Sequence, residues 1–256
     1  MYSPTDAWQS AGLDNGDAVE VARQEDGRLR GQVGHRALDV QLFTICSIVS
    51  GVGFSKASGI GWEQYYRAIE GRPLRALFVD AMPFLPTTDD QALVAIDLGC
   101  GDGTETLALL ARGWKVIAVD AAPQAIARLR ASVAPEDRTR LAAFVASYHE
   151  VEWPDADFVY AGLSLPFCDP RDFDQVWRRI STALRPEGVF AGHFFGRHDS
   201  WADTPDMTFH TREEVEALLD GFDVHLLREQ DEDGPAVSGP KHWHVFHVIA
   251  SKRVTS

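Results

Sequence analysis

The feature that most restricts this chain is an apolar strand that runs into a glycine-rich bend and then a helix: Val94-Ala95-Ile96-Asp97-Leu98-Gly99-Cys100-Gly101-Asp102-Gly103-Thr104. Glycine at 99, 101 and 103 lets the backbone turn tightly and approach a ligand with no Cβ in the way. About twenty residues on, a second apolar run, Val116-Ile117-Ala118-Val119, ends in Asp120, where a carboxylate accepts hydrogen bonds from both hydroxyls of a ribose. The pair of signals predicts a nucleoside crevice at the carboxyl edge of a parallel sheet. A dinucleotide site uses the same topology and is the competing reading. Against it, Thr104 stands where the dinucleotide fingerprint wants its third glycine, and Asp97, Asp102 and Glu105 surround the bend. Carboxylates there oppose a pyrophosphate and favour a ligand that carries a cation.

Apolar runs alternate with helical patterns through the rest of the chain, which predicts an α/β fold with helices on both faces of a mostly parallel sheet. Seven strands are expected, over 93–98, 115–119, 141–146, 158–162, 189–195, 222–227 and 243–249. Helices are expected over 104–112, 123–132, 170–183 and 212–219. The stretch 229–240 is acidic and turn-rich, leaves no room for a helix, and reads as a solvated loop joining an antiparallel last pair. Ahead of the sheet, Trp62, Tyr65, Tyr66 and Ile69 recur at helical spacing, and a second helical stripe follows Gly71-Arg72-Pro73. These two helices form an amino-terminal lid. Residues 1–55 show little apolar periodicity and read as a weakly structured arm, which leaves 56–256 as the folded domain.

With 45% hydrophobic residues, 256 residues can bury one full core. The formal net charge of −14 disfavours a nucleic-acid partner, because such partners are held by clustered Lys and Arg. No apolar run spans a membrane, and the start, 1–14, lacks the pattern of a secretory signal. Cys46, Cys100 and Cys168 are far apart and unpaired in spacing, which fits reduced thiols and a cytoplasmic protein.

The segment from Asp97 to Gly103, with Asp120, resembles the first motifs of the class I methyltransferases. A finer resemblance, to the small tellurite-resistance-type methyltransferases, runs through Trp62-Glu63-Gln64-Tyr65-Tyr66, Gly101-Asp102-Gly103-Thr104-Glu105-Thr106, Ser164-Leu165-Pro166-Phe167 and Leu184-Arg185-Pro186-Glu187-Gly188. It implies a Rossmann-like fold with S-adenosylmethionine as cofactor. It also implies cofactor contacts at Asp97, Gly99, Cys100, Gly101, Gly103, Asp120 and Ala121, an adenine pocket at Ser147, Tyr148 and His149, and methionine contacts at Ala161 and Gly162. Many relatives carry an acid in the adenine turn. This chain has Ser147 there, with Glu150 slightly beyond.

Methyl transfer from a sulfonium is a direct displacement, so the acceptor side needs alignment, dryness and, for weak nucleophiles, a base. Position at the carboxyl edge selects Tyr160 and His193 as catalytic candidates, with Tyr65, Tyr66 and Phe195 as acceptor contacts. Arg72 is placed to meet the cofactor's carboxylate if the lid folds over the site. His242 and His244 share one strand face but lack a third ligand, so no metal is expected. The reading is a methyltransferase for a small-molecule acceptor, monomeric or homodimeric. An NAD(P)-dependent oxidoreductase and a non-catalytic S-adenosylmethionine-binding protein are the alternatives.

Overall fold

A computed structural model describes residues 55–87, 92–151 and 153–254 with their side chains and, ahead of them, the backbone of three strands. The chain divides into two units, Met1–Ser47 and Ile48–Ser256. In the first, β1 (Glu20–Arg23), β2 (Leu29–Val33) and β3 (Arg36–Asp39) pair antiparallel in that order. The remainder of the segment read as an arm, Cys46 included, lies outside the described residues.

The second unit opens with α1 (Trp62–Ala68) and α2 (Ala76–Ala81). Then come β4 (Val94–Leu98), α3 (Thr104–Leu110), β5 (Lys115–Asp120), α4 (Pro123–Ser132), β6 (Leu141–Val145) and β7 (Ala156–Ala161). The chain continues through α5 (Pro170–Ala183), β8 (Leu184–Gly196), β9 (Phe209–His210), α6 (Arg212–Leu218), β10 (Phe222–Ala236) and β11 (Gly239–Lys252). The main sheet runs β10-β11-β8-β7-β4-β5-β6, and the short β9 pairs with β8. Strands β4 to β8 pair parallel, and β11 pairs antiparallel with both neighbours. This is the expected Rossmann-like α/β sheet with its antiparallel end.

Local chemistry accounts for the elements. Every residue of β4 is buried, as a central parallel strand covered on both faces requires. Proline at the first position of α4 and α5 has no N–H to leave unpaired, and Asp169 caps α5 by accepting from the Arg171 N–H. Buried Phe173, Val176, Trp177, Ile180 and Ala183 make one stripe along α5. Thr211 and Glu214 close a reciprocal capping box on α6. Among the described residues no helix is long and apolar enough to cross a membrane.

Two expectations need correction. The acidic stretch from Glu229 is not a solvated loop: β10 continues to Ala236 and pairs with β11 across a tight turn, down to Ala236 opposite Gly239. Its carboxylates find cross-strand and loop partners, with Glu229 against Arg212 and His244, and Asp231 against His198 and His242. Polar pairs across strands stabilise a ladder that hydrophobicity alone does not reveal. The second correction concerns the lid, where the helix begins at Ala76 and not at Pro73. Extended backbone lets the Arg75 N–H and the Arg72 guanidinium reach Glu105.

Candidate cofactor and acceptor site

The bend after β4 is built on glycines in the left-handed region. Gly99 has φ +70 and Gly103 φ +80, conformations that a side chain resists. A Cβ at Gly99 would overlap the Ser164 side chain, and one at Gly103 would come within 2.7 Å of Leu129. The bend is tied to the next strand by Gly99 N–H and Cys100 N–H, both donating to the Val119 carbonyl at 2.7 and 3.1 Å. Sheet pairing thus brings Asp97, the bend and Asp120 together.

Asp120 accepts from Gly101 N–H at 2.9 Å and from Ala122 N–H at 2.8 Å, one bond to each oxygen. The lid supplies a third neighbour, the Tyr66 hydroxyl, at 3.4 and 3.5 Å from the two oxygens. Tyr66 also covers Gly101, where an added Cβ would meet its ring at 3.3 Å. Tyr66 was expected among the acceptor contacts. It packs with Ala122 and Ala125, over Asp120.

The charge around the bend differs from the sequence reading. Arg72 forks onto Glu105 at 2.6 and 2.7 Å and reaches Asp102 at 2.9 Å, so two of the three carboxylates are already neutralised. Burial would raise Glu105, but Arg72 and the Arg75 N–H outweigh it and hold the carboxyl below its ordinary value. Asp97 has no such partner. Burial pushes it up to about 7, against the 2.6 Å hydrogen bond from the Thr106 hydroxyl. The preference for a cation therefore rests on Asp97 and Asp120 more than on a ring of free acids.

A cationic ligand prefers ionised Asp97, and a proton competes with it. Affinity for S-adenosylhomocysteine, which keeps the ammonium, is accordingly expected to rise about tenfold from about pH 6 to about pH 8. In Asp97→Asn the calorimetric profile should flatten; an unchanged slope would show that another group titrates.

The adenine-side candidates follow β6. Tyr148 reaches inward and donates to the Ser164 carbonyl at 3.2 Å, beside the bare face of Gly99. Glu150 accepts from the Ser147 N–H at 2.7 Å, which occupies the acid nearest that turn. His149 is half-buried and turned toward Asp172, 3.8 Å away. Ala121 is exposed just past Asp120, and Cys100 is buried as a free thiol. Ala161 is buried at the end of β7, and a Cβ on Gly162 would overlap the Tyr160 hydroxyl.

The structure brings Tyr65 and Phe195, two of the expected acceptor contacts, into one apolar cluster with Phe167, Met207, Trp62 and Trp201. Sequence reasoning missed Trp201, which lies in an irregular segment with no periodic signal. His193 is buried, and its Nδ1 accepts the Leu163 N–H at 3.1 Å. Burial first, then the His247 ring, holds it well below the ordinary imidazole value. A neutral ring with Nδ1 accepting carries its proton on Nε2, so in this arrangement Nδ1 is occupied and Nε2 is the N–H donor. Tyr160 lies opposite Asp97 in the sheet register, and its buried hydroxyl has no hydrogen-bond partner. Burial pushes that phenol well above its ordinary value, which makes it a donor too.

Residues 95–188 match the methyltransferase domain family. That stretch, 95–188, is what the chain has in common with methyltransferase domains. Over 98 residues, 36% of this chain and 39% of the relative, it is 33% identical to carboxy-S-adenosyl-L-methionine synthase of Photorhabdus laumondii. The chain spans only 39 to 51% of the length of the curated relatives it matches. Among solved structures this chain is similar in fold to TehB from Haemophilus influenzae, with 14% identity, a TM-score of 0.60 and coverage of 76% of this chain and 68% of that one. It is also similar to the 1,6-didemethyltoxoflavin-N1-methyltransferase of Burkholderia thailandensis, with 18% identity, a TM-score of 0.54 and coverage of 92% and 100%. Within the matched segment lie the bend, Asp120 and Tyr160, whereas Tyr66, Arg72 and His193 lie outside it.

Proposed function

We propose that this chain uses S-adenosylmethionine to methylate a small molecule at an oxygen, nitrogen, sulfur or metalloid centre. The observation that carries the reading is Asp120, held by two backbone N–H groups beside a bend of bare glycine backbone. The donor set fits that cofactor. Asp120 is in place for the two ribose hydroxyls, and Asp97 for the ammonium. Arg72, held by Glu105 and Asp102, fixes those two acids beside the first turn of α3 and leaves Asp97 and Asp120 as the unpaired carboxylates of the bend. When bound, the cofactor supplies the electrophilic methyl group.

The chain's own residues then align, dry and polarise. Phe167, Phe195, Trp62 and Trp201 exclude water from the acceptor side. Tyr160, near the end of β7, and His193, on β8, offer O–H and N–H donors, which suits orientation of an electron-rich acceptor better than removal of its proton. Tyr66 stands on Asp120 and Gly101, so α1 shifts when the nucleoside enters. The enzyme is read as cytoplasmic and monomeric or homodimeric, with neither a nucleic acid nor a membrane as partner.

The test is a transfer assay with cofactor labelled on the methyl group and a cell extract, beside calorimetry with S-adenosylhomocysteine and NADH. Label is expected on a small product, with binding of the first ligand alone. Tight NADH binding without S-adenosylhomocysteine binding would reverse the choice in favour of an oxidoreductase. Binding without any labelled product would favour a non-catalytic cofactor-binding protein. The Photorhabdus relative is named for making a carboxylated S-adenosylmethionine. Following the label also separates transfer to an acceptor from modification of the cofactor itself.

A further inference from the structure

The extension of β10 and β11 past the sheet has a consequence outside the methyltransferase cleft. The register sets Asp231 opposite His244 and Asp233 opposite His242, and the turn after β8 lays His198 on the same face. Asp231 is the hub. One carboxylate oxygen lies 2.9 Å from His198 Nδ1 and the other 2.7 Å from His242 Nε2. One ligand atom each from His198, Asp231 and His244 lies within 4.8 Å of the other two. The sequence showed His242 and His244 without a third ligand; the fold supplies it from a segment more than forty residues away.

We propose that His198, Asp231 and His244 form a site for one divalent transition ion of the zinc, cobalt or nickel kind, with His242 as an adjoining imidazole on the shared carboxylate. The outward nitrogens carry the argument. A metal-bound histidine almost always donates its other N–H to a carboxylate or carbonyl, which sets the tautomer. Here His244 Nε2 faces Glu229 at 2.9 Å, and its Nδ1 points inward, where it accepts the His198 N–H at 3.1 Å. The inward nitrogen of His244 is thus backed by a carboxylate on the far side of its ring. His242 differs, because both of its nitrogens face carboxylates, Nδ1 toward Asp233 at 2.8 Å and Nε2 toward Asp231 at 2.7 Å, so it serves as a donor to the shared carboxylate. Two imidazoles and one carboxylate suit borderline ions and leave positions for water, whereas magnesium and calcium prefer all-oxygen sets.

Tetrahedral ligand atoms lie about 3.3 Å apart at zinc bond lengths, so the widest pair closes by at most about 1.5 Å, while His198 Nδ1 and Asp231 are already 2.9 Å apart. His198 is free to make that movement. Its side chain is 69% exposed and sits in a turn, while His244 is held at 5%. The ion replaces the His198 N–H on His244 Nδ1 and draws the turn onto the hairpin. That turn continues into Asp199 and Trp201, so the ion braces one wall of the aromatic cluster.

The test uses the full chain without an affinity tag. Zinc is followed by calorimetry and cobalt by its visible absorption. The expected result is one ion per chain and tetrahedral-type cobalt bands. His198→Ala and Asp231→Asn should each weaken zinc binding about tenfold or more, in the range seen for disturbed metal shells. Far-UV circular dichroism shows that each variant is folded, so a lost site is not mistaken for a lost fold. Unchanged zinc affinity in both variants would place the ion elsewhere and overturn the proposal. So would the absence of saturable binding below about 1 mM in the wild-type chain. Neither outcome bears on the cofactor site, which the experiment does not use.

Discussion

In Asp120→Ala, calorimetry is expected to show S-adenosylhomocysteine affinity reduced by about 100-fold or more. The carboxylate ends β5 with its two oxygens already tied to Gly101 and Ala122 N–H groups, so its position is set before any ligand arrives. Each hydrogen bond to a charged acceptor contributes about 1.5–3 kcal/mol. Two ribose hydroxyls together therefore contribute at least about 3 kcal/mol, and every 1.4 kcal/mol is tenfold. Two further effects push the same way: the Gly101 N–H loses its acceptor, and the Tyr66 hydroxyl no longer has a carboxylate to rest on. Thermal unfolding of the same variant separates lost affinity from a lost fold. An affinity within a few-fold of wild type would remove Asp120 from the ribose site and, with it, the main support for a nucleoside in this crevice.

Asp199→Ala is expected to destabilise the fold by about 3–5 kcal/mol, the cost of removing one partner of a buried ion pair. Lys241 and Asp199 form a salt bridge with side-chain exposures of only 1% and 0%. Burial alone lowers the Lys241 ammonium from its ordinary value, while Asp199 opposes that shift. Three aromatic rings surround the ammonium, with Trp243 at 4.0 Å, Trp201 at 4.4 Å and Phe195 at 5.1 Å. They attract a cation but do not supply a counter-charge. Asp199 also accepts from the Trp201 and His244 N–H groups, at 3.0 and 3.3 Å, so its loss frees two backbone donors as well. At roughly 2–4 °C per kcal/mol for a domain of this size, the midpoint should fall by about 6–20 °C. Calorimetric unfolding measures it. Lys241→Met with Asp199→Ala should recover much of the loss, because an apolar pair leaves no buried charge. A single variant as stable as wild type would mean that the lysine finds water, contrary to its burial.

Much of the fold was legible from local patterns. The predicted helices 123–132 and 170–183 coincide with α4 and α5, because proline starts, caps and apolar stripes act within a few residues of one another. The strand and bend from Val94 to Gly103 were legible for the same reason, since left-handed backbone calls for glycine at each turning point. The acidic half of β10 was not. Its partners, His244 and Arg212, belong to other segments, and a window of polar residues looks the same whether water or a facing strand satisfies it.

The site divides along the same line. Sequence alone determined that the bare bend, Asp97 and Asp120 stand at the carboxyl edge of neighbouring parallel strands. Tertiary structure decided what those groups do. It put Tyr66 over Asp120, spent the charge of Asp102 and Glu105 on Arg72, and turned His193 into a donor through the Leu163 N–H. Charge, tautomer and accessibility are properties of a side chain's neighbours in space, and those neighbours here lie tens of residues away along the chain.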